Sequence, residues 1–218
     1  MTPFIKICCM TSIDEAEIAM RAGASAIGLV SAMPSGAGVI DDATIREIAA
    51  AMPRRLPTFL LTSRTDPDAI AEQVHRAGTN TVQVVDRLGA GSLERLRDLV
   101  PRVRIVQVVH VLGPESVGEA ENLAHLVDAI LLDSGNPSLA VKALGGTGRT
   151  HDWSVSRSIV AAVPVPVYLA GGLRADNVRA AVETVRPAGV DVCTGVRTDG
   201  KLDHEKLDAF VSAVRAVW

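Results

Sequence analysis

The chain has 218 residues, of which 48% are hydrophobic and 22% are charged, with 22 Lys and Arg against 25 Asp and Glu. This length suits one large domain or at most two small ones, and the apolar fraction can build a folded core, which excludes intrinsic disorder. The net charge of −3 and the aromatic content of 3% argue against a nucleic acid partner. Phosphate-backbone binders carry a basic face, and single-strand binders need aromatic stacking platforms.

Cysteine usage and the first residues bear on the compartment. The three cysteines, Cys8, Cys9 and Cys193, are too few and too unevenly placed for a disulfide framework, which indicates a reducing compartment. Residues 1–7 lack the basic start and the apolar core of a signal peptide. No apolar run reaches the roughly 18 residues that a membrane span needs. We therefore expect a cytoplasmic protein with no membrane partner.

Short β-branched runs alternate along the chain with Ala-rich segments of helical period. The predicted strands are Phe4–Cys9, Ala26–Val30, Pro57–Leu61, Thr81–Val85, Arg104–Val109, Ala129–Leu132, Val167–Ala170 and Val190–Cys193. Segments with apolar residues at i, i+3, i+4 and i+7 include Ser12–Ala22, Asp42–Ala51, Pro67–Ala77, Ser92–Val100, Asn177–Val185 and His204–Val217. Strands that alternate with helices pair in parallel, because a parallel pair needs a crossover connection.

Strand–helix units of this kind fit two architectures, a doubly wound sheet and a closed (β/α)8 barrel. The count of eight strands and the length of 218 residues, within the barrel range of roughly 200 to over 400, favour the barrel. No Pro-, Gly- or Ser-rich linker divides the sequence, so we predict an α/β fold with a single TIM-barrel domain over residues 1–218. The longest irregular stretch, Ser134–Asp152, follows the sixth strand, and a connection of that length is commonly a lid or a binding loop.

The predicted strands end in residues that can move protons, and parallel barrels carry their active sites at that end. Cys8 ends the first strand and Asp133 follows the sixth, so a thiolate and a carboxylic acid form a possible base and acid. Strand alternation places Cys8 on the face of Lys6 and Cys9 on the opposite face. The structural alternative is that Cys8 is a small buried apolar residue and that Asp133 caps a helix.

Small residues follow the seventh and eighth strands, as Gly171-Gly172 and Thr194-Gly195. Backbone N–H groups after these two strands commonly hold a phosphate in barrels, although each glycine could simply turn the chain. The glycine-rich segment 145–150 matches neither the P-loop nor the dinucleotide-binding pattern, and a plain surface loop is the equal alternative.

Lys6 has a structural explanation as well as a functional one. The first and last strands adjoin in a closed barrel, so Lys6 can pair there with Asp191, and a buried lysine needs such a partner. The five histidines show no shared metal-ligand spacing, and His110 is the one placed to face the site. We therefore predict no metal site.

Several segments resemble the phosphoribosylanthranilate isomerase family in order and spacing. The clearest are Lys6-Ile7-Cys8, Leu131-Leu132-Asp133-Ser134, Gly145-Gly146-Thr147-Gly148-Arg149-Thr150 with Asp152-Trp153, and Leu169-Ala170-Gly171-Gly172-Leu173. The resemblance implies the (β/α)8 fold and an acid–base Amadori rearrangement in tryptophan biosynthesis. The substrate would be N-(5-phosphoribosyl)anthranilate and the product 1-(2-carboxyphenylamino)-1-deoxyribulose 5-phosphate.

The resemblance also implies roles for individual residues. Cys8 would be the general base and Asp133 the general acid, without a cofactor. The phosphate would be held by Gly171, Gly172, Thr194 and Gly195. Further substrate contacts are predicted at Lys6, Gln83, Gly146 and Arg197. The expected partner is a small phosphorylated amino sugar, and the chain is expected to be a monomer or a homodimer.

The sequence departs from the family's pattern around the part of the site that should hold anthranilate. Gly38 stands about where an Arg usually helps to hold the anthranilate carboxylate, and Cys9 replaces the Gly expected after the catalytic Cys. After the last strand, where the family usually has Ser-Ser-Gly-Val-Glu, residues 193–197 read Cys-Thr-Gly-Val-Arg. At the end of the fourth strand, where it usually has Gln-Leu-His-Gly, residues 83–86 read Gln-Val-Val-Asp. Three hypotheses stay open: an ordinary isomerase in which Arg197 supplies the missing cation, a diverged isomerase acting on another 1-amino-ribose 5-phosphate, and a non-catalytic phosphosugar-binding protein.

Overall fold

Eight parallel strands close into a barrel in the computed structural model, which describes residues 3–34, 36–136, 144, 148 and 150–218. Each strand pairs with the next along the chain, and the eighth pairs with the first to complete the ring. The strands are β1 Phe4–Ile7, β2 Ala26–Val30, β3 Thr58–Thr62, β4 Thr81–Val84, β5 Arg104–His110, β6 Ala129–Asp133, β7 Val167–Leu169 and β8 Gly189–Val192. The predicted (β/α)8 barrel is confirmed, and the doubly wound sheet is excluded.

A helix follows each barrel strand and covers the outside of the ring. The helices are α1 Ile13–Ala22, α2 Asp42–Ala51, α3 Pro67–Ala77, α4 Ala90–Leu99, α5 Ser116–Leu123, α6 Trp153–Ala162, α7 Val178–Val185 and α8 His204–Arg215. The side chains of Ser12, Asp41 and Asp66 each accept a hydrogen bond from the backbone N–H three residues on, which satisfies an amide that the first helical turn leaves free. Gly23 and Gly78 end α1 and α3 in the left-handed conformation. None of the helices in the described part of the chain is long and apolar enough to span a membrane.

Side chains alternate along the strands between the barrel interior and the surrounding helices, which creates two apolar cores. Ile5 and Ile7 of β1 pack outward in the larger core with the helices. The interior is closed near the amino ends of the strands by aromatic rings, where Phe4 and Tyr168 stack with their centroids 4.5 Å apart. The open end of the barrel is therefore the carboxyl end, where the predicted site residues lie.

The element bounds differ from the predicted ones by at most two residues, and one of these differences affects the site. Strand β1 ends at Ile7, and Cys9 has a φ of 67°. Because this left-handed backbone leaves the strand alternation, Cys9 joins the interior cluster on the same side as Cys8. The prediction that Cys9 faces away from Cys8 is wrong.

Three short elements between β8 and α8 were not predicted. They are the 3-10 turn Thr194–Val196 and the two strands of a small antiparallel hairpin, β9 Arg197–Thr198 and β10 Lys201–Leu202. Their lengths of two or three residues are too short for a periodic pattern to show in the sequence.

Candidate active site

A cavity opens at the carboxyl ends of the strands and encloses about 630 Å³, counting the part that is open to solvent. The sequence-predicted residues that line it are Cys8, Gln83, Asp133, Gly171, Gly172 and Thr194. The barrel therefore brings the predicted acid and base into the same cavity as the predicted phosphate-binding turns.

The Cys8 thiol occupies a buried position just beyond the end of β1. Its backbone N–H donates to the carbonyl oxygen of Val192 at 2.8 Å, which continues the pairing of β1 with β8. Gly28 on the neighbouring strand makes room for it, since a Cβ added there would lie 2.7 Å from Cys8 Sγ and 3.1 Å from Lys6 Nζ. A side chain at position 28 would displace the thiol or the ammonium.

Lys6 and Asp191 form an ion pair inside the barrel. Lys6 Nζ lies 2.9 Å from Asp191 Oδ1, and their side chains are 1% and 8% exposed. Burial alone lowers the pKa of a lysine, but Asp191 and then Cys8 raise the pKa of Lys6 above its usual value, so the ammonium stays charged. The pairing predicted from the adjacency of β1 and β8 is confirmed. Lys6 is not among the residues that line the cavity, so the structure places it against Asp191 and the thiol and not at the cavity surface.

The two proposed proton-transfer groups are both shifted towards their protonated forms. Burial raises the pKa of the Cys8 thiol to about 11, although the Lys6 ammonium opposes this shift. Burial also raises the pKa of Asp133 above its usual value, and the Ser134 N–H, which donates to Asp133 Oδ1 at 2.8 Å, opposes it. A thiolate together with a carboxylic acid is therefore a minor population of the free protein near neutral pH.

His110 is a buried neighbour of Asp133 in the pairing of β5 with β6. Its Nε2 lies 2.9 Å from the carbonyl oxygen of Val85, which can only accept, so Nε2 carries the hydrogen. His110 is not among the residues that line the cavity. His110 lowers the pKa of the Asp133 carboxyl, against the larger effect of burial.

Two turns that follow neighbouring strands form the part of the cavity wall between the ends of β6 and β1. Gly171 and Gly172 follow β7 with φ values of 82° and 64°, a conformation that glycine adopts without steric cost. A Cβ on Gly171 would lie 3.0 Å from His151 Nδ1 and 3.1 Å from the Ser134 nitrogen. Asn177 Nδ2 donates to the carbonyl oxygen of Gly172 at 3.0 Å and fixes this turn against the start of α7.

Gly195 belongs to the second turn but not to the cavity wall. A Cβ added there would collide with the carbonyl oxygen of Leu173, the residue that follows Gly171-Gly172. Its missing side chain therefore lets the two turns pack together, while Thr194 beside it lines the cavity. The structure thus places Gly195 behind the predicted phosphate-binding wall.

Arg197 does not reach the cavity. Its Nη2 donates to Glu15 Oε2 at 2.7 Å and to the carbonyl oxygen of Cys9, and its Nη1 donates to the carbonyl oxygen of Gly200 at 2.7 Å. The two ionic side chains are 5% and 15% exposed. The prediction that Arg197 supplies a cation to the substrate is wrong, because its guanidinium is buried against Glu15.

Position 38, where the family's arginine was expected, packs directly on Cys9. Gly38 has a φ of 71°, and a Cβ there would lie 3.0 Å from Cys9 Cα and 3.1 Å from the Cys9 carbonyl oxygen. An arginine does not fit in this arrangement. Within the described part of the chain, the cavity wall contains no Lys or Arg, and its larger apolar side chains are Val30, Met33, Leu61, Val85, Leu144, Leu173 and Val192.

Cys9 and Cys193 form a disulfide in the cavity wall. Their Cα atoms are 5.9 Å apart although 184 residues separate them in sequence. The number of cysteines did not predict this bond. The pairing of Ile7 with Val192 could have indicated it, because that pairing continues towards Cys9 and Cys193 at the open end. The expectation of a chain without disulfides is not met.

The predicted substrate contact at Gly146 lies outside the described residues. So do most of its neighbours in the glycine-rich segment. Leu144 and Gly148 are described, and both line the cavity. This part of the prediction therefore stays a prediction.

The sequence model of the family described as N-(5'phosphoribosyl)anthranilate (PRA) isomerase matches residues 5–213. The chain belongs to this family. A relative from Haloferax volcanii, named N-(5'-phosphoribosyl)anthranilate isomerase, is 40% identical over 215 residues, which cover 97% of this chain and 92% of the relative. The resemblance found in the sequence is confirmed.

Solved structures of the isomerase family share the fold along almost the whole chain. The phosphoribosyl anthranilate isomerase of Thermotoga maritima superposes with a TM-score of 0.82 at 28% identity, covering 98% of this chain and 99% of that one. A phosphoribosyl anthranilate isomerase in complex with reduced 1-(o-carboxyphenylamino)-1-deoxyribulose 5-phosphate superposes with a TM-score of 0.79 at 26% identity, with the same coverage. The chain and these structures therefore have the same barrel.

Proposed function

We propose that this chain is an N-(5'-phosphoribosyl)anthranilate isomerase that serves tryptophan biosynthesis. The observation that carries the proposal is the placement of Cys8 and Asp133 in the wall of one cavity, with the turns at Gly171-Gly172 and Thr194 in the same wall. An acid, a base and a phosphate-binding wall are what the rearrangement of a phosphorylated aminoribose requires. The family match and the relatives' names support the same reaction.

Asp133 and Cys8 act in sequence on the ribose. The protonated Asp133 carboxyl donates its proton to the furanose oxygen, the bond from that oxygen to C1 breaks, and a protonated Schiff base forms at C1. The Cys8 thiolate then removes the proton from C2, which gives an enolamine. The enolamine takes a proton at C1 and loses the hydroxyl proton at C2 to become the ketone. The product is an isomer of the substrate, so the reaction needs no cofactor.

The phosphate anchors the substrate at the turns that follow β7 and β8. Backbone N–H groups of the turn at Gly171 and Gly172, together with Thr194, would bind its oxygens, since amides freed of Cβ can approach an anion closely. The tie from Asn177 to the Gly172 carbonyl holds this turn in place before substrate arrives. We infer that Gly171, Gly172 and Thr194 hold the phosphate and that Gly195 supports them from behind.

A second candidate is an isomerase of the same chemistry that acts on another 1-amino-ribose 5-phosphate. The observation that favours it is that the described cavity wall offers no Lys or Arg to a carboxylate. Gln83 lines this cavity, is 3% exposed, and its Oε1 has no hydrogen-bond partner among the described residues. It would accept a hydrogen bond from an amine N–H of either substrate.

Complementation separates these candidates. A bacterial strain that lacks its phosphoribosylanthranilate isomerase should grow without tryptophan when it expresses this chain, and should fail to grow with Cys8→Ala or Asp133→Ala. Failure with the wild-type chain, when the protein is present and folded, would contradict the tryptophan role. Turnover of a different N-ribosyl phosphate by that protein would then support the second candidate.

A further inference from the structure

Four positions where this chain departs from its family's motifs meet at one place in the structure. Cys9 is bonded to Cys193, its carbonyl oxygen accepts from Arg197, and Gly38 packs against its backbone. Cys9 follows β1, Gly38 lies between β2 and α2, and Cys193 and Arg197 flank the turn after β8. The departures are therefore parts of one structural unit and not four separate losses of anthranilate binding.

The disulfide joins the segments that follow two neighbouring strands, β1 and β8. Cys9 follows the thiol residue Cys8, and Cys193 precedes Thr194 in the second turn. Both bonded cysteines line the cavity, which is open to solvent. The covalent link therefore holds the turn at Thr194 close to the segment that follows β1.

Arg197 fixes the same two segments from the outer side. Besides the Cys9 carbonyl, its guanidinium holds Glu15, whose carboxylate accepts from the backbone N–H of Thr11 at 2.9 Å and from that of Leu202 at 3.0 Å. Glu15 lies on α1 and Leu202 on β10, so one buried ion pair connects the segment after β1 with the hairpin after β8. Nothing in this pair depends on a bound substrate.

We propose that the Cys9–Cys193 disulfide and Arg197 form a brace that positions the turn at Thr194 relative to Cys8, and that reduction of the disulfide weakens phosphate binding. The brace consists of Cys9, Cys193 and Arg197, which are positioning residues because none is required to touch the reacting atoms. The proposal rests on the proposed function for its kinetic consequence, whereas its consequence for phosphate binding can be measured without turnover.

The effect should fall on substrate binding more than on the chemical step. Cys8 keeps its own backbone bond to Val192 whether or not the disulfide is present. The turn at Thr194 loses its covalent tie when the bond is reduced. Reduction by a dithiol transfers two electrons and two protons to the protein, which gives the thiols of Cys9 and Cys193 and leaves the reductant as a cyclic disulfide.

Three proteins are compared with and without prior treatment with dithiothreitol: the wild type, Cys193→Ser and Arg197→Lys. Alkylation after denaturation, read by mass spectrometry, should label only Cys8 in the untreated wild type and all three cysteines after reduction. Calorimetric titration with inorganic phosphate measures the phosphate site directly. Steady-state kinetics with phosphoribosylanthranilate then separate KM from kcat.

In the wild type, reduction should weaken phosphate binding and raise KM by about fivefold, as expected from the loss of roughly one well-placed hydrogen bond, while kcat stays close to its starting value. Cys193→Ser should show the weaker binding in both conditions and no response to dithiothreitol. Arg197→Lys should respond to dithiothreitol like the wild type but start from a weaker phosphate affinity. A lysine ammonium cannot reproduce the planar guanidinium that donates to both Glu15 and the Cys9 carbonyl.

Three results would overturn the proposal: labelling of all three cysteines in the untreated protein, equal phosphate affinity before and after reduction, or a change confined to the melting temperature. A wild type without turnover in either condition, but with thiol-dependent phosphate affinity, would contradict the proposed function and leave the brace supported.

Discussion

The ammonium of Lys6 lies 2.9 Å from a carboxylate oxygen of Asp191 inside the barrel, next to the Cys8 thiol. The ion pair places a positive charge beside the proposed base, and this charge lowers the pKa of the thiol against the larger effect of burial. We therefore expect Lys6 to assist proton transfer without lining the cavity. Variants of Lys6 and Asp191 can therefore show separately how the ion pair affects the free energy of unfolding and how it affects the catalytic rate.

Lys6→Met should reduce both properties. The pKa of Cys8 rises when the ammonium is lost, so the rate should fall by about tenfold for each unit of that rise. The free energy of unfolding should fall by about 3–5 kcal/mol, because Asp191 is left buried without a partner. The double variant Lys6→Met/Asp191→Leu should recover much of the stability but not the activity. Recovery of both in the double variant would contradict the role of the ammonium.

The pH dependence of kcat/KM should be bell-shaped, but the acid should set the acidic limb and the base the alkaline limb, which reverses the usual assignment. Activity needs the thiolate of Cys8, whose pKa is about 11, and the protonated form of Asp133, whose pKa is raised. Between the two pKa values, the gain in thiolate and the loss of carboxylic acid cancel as pH rises, so the rate is level. The rate falls below the pKa of Asp133 and above that of Cys8.

The thiol's titration can be followed on its own. Cys9 and Cys193 are bonded to each other, so thiolate absorbance in the ultraviolet, corrected with Cys8→Ala, reports Cys8. Absorbance that appears near pH 11 and matches the alkaline limb of the kinetic profile is the expected result. Thiolate that forms near neutral pH would show that the base is ionised in the resting protein and that the limbs are not reversed.

Gly28→Ala tests whether the thiol and ammonium need the space beside them. The added Cβ would lie 2.7 Å from Cys8 Sγ, so we expect a loss of about 10²-fold in kcat, as for a misplacement of about 1 Å. Gly91→Ala is the matched control, because a Cβ on that helical residue meets nothing within 4 Å. Kinetics and circular dichroism of both variants check this. Equal kcat values in the two folded variants would contradict the prediction.

Gly171→Ala tests the phosphate-binding turn, with Gly78→Ala as its control. Both glycines have positive φ values, 82° and 67°, so both variants should lose about 1–2 kcal/mol of stability from backbone strain. Only Gly171 lies in the cavity wall, where a Cβ would press on His151 and Ser134. Inhibition by inorganic phosphate should therefore weaken in Gly171→Ala alone. A similar loss in both variants would indicate a general effect of strain.

The fold and the placement of Cys8 and Asp133 at one end of the barrel could be predicted because they depend on local periodicity and on strand adjacency. Eight apolar runs and their helices indicate the barrel, and closing the barrel places Lys6 opposite Asp191. The place of Gly171, Gly172 and Thr194 in the cavity wall could be predicted for the same reason, since they follow neighbouring strands. The roles attached to Cys8 and Asp133 came from the family resemblance and not from spacing.

The errors arose where one backbone angle or one distant partner decides the outcome. The φ of 67° at Cys9 cannot be read from a β-type pattern, and it turns that residue into the cavity wall. Arg197 was predicted from its charge and its place near the opening, but Glu15, 182 residues away in sequence, binds its guanidinium. Both errors concern the segments that the brace connects.

The most direct test of the account is turnover of phosphoribosylanthranilate, generated in solution and followed by the loss of its fluorescence. We expect the wild-type protein to consume it. Cys8→Ala and Asp133→Ala, shown by circular dichroism to be folded and by calorimetry to bind inorganic phosphate, should each abolish turnover. Turnover that persists in either variant would contradict the assignment of Cys8 as base and Asp133 as acid.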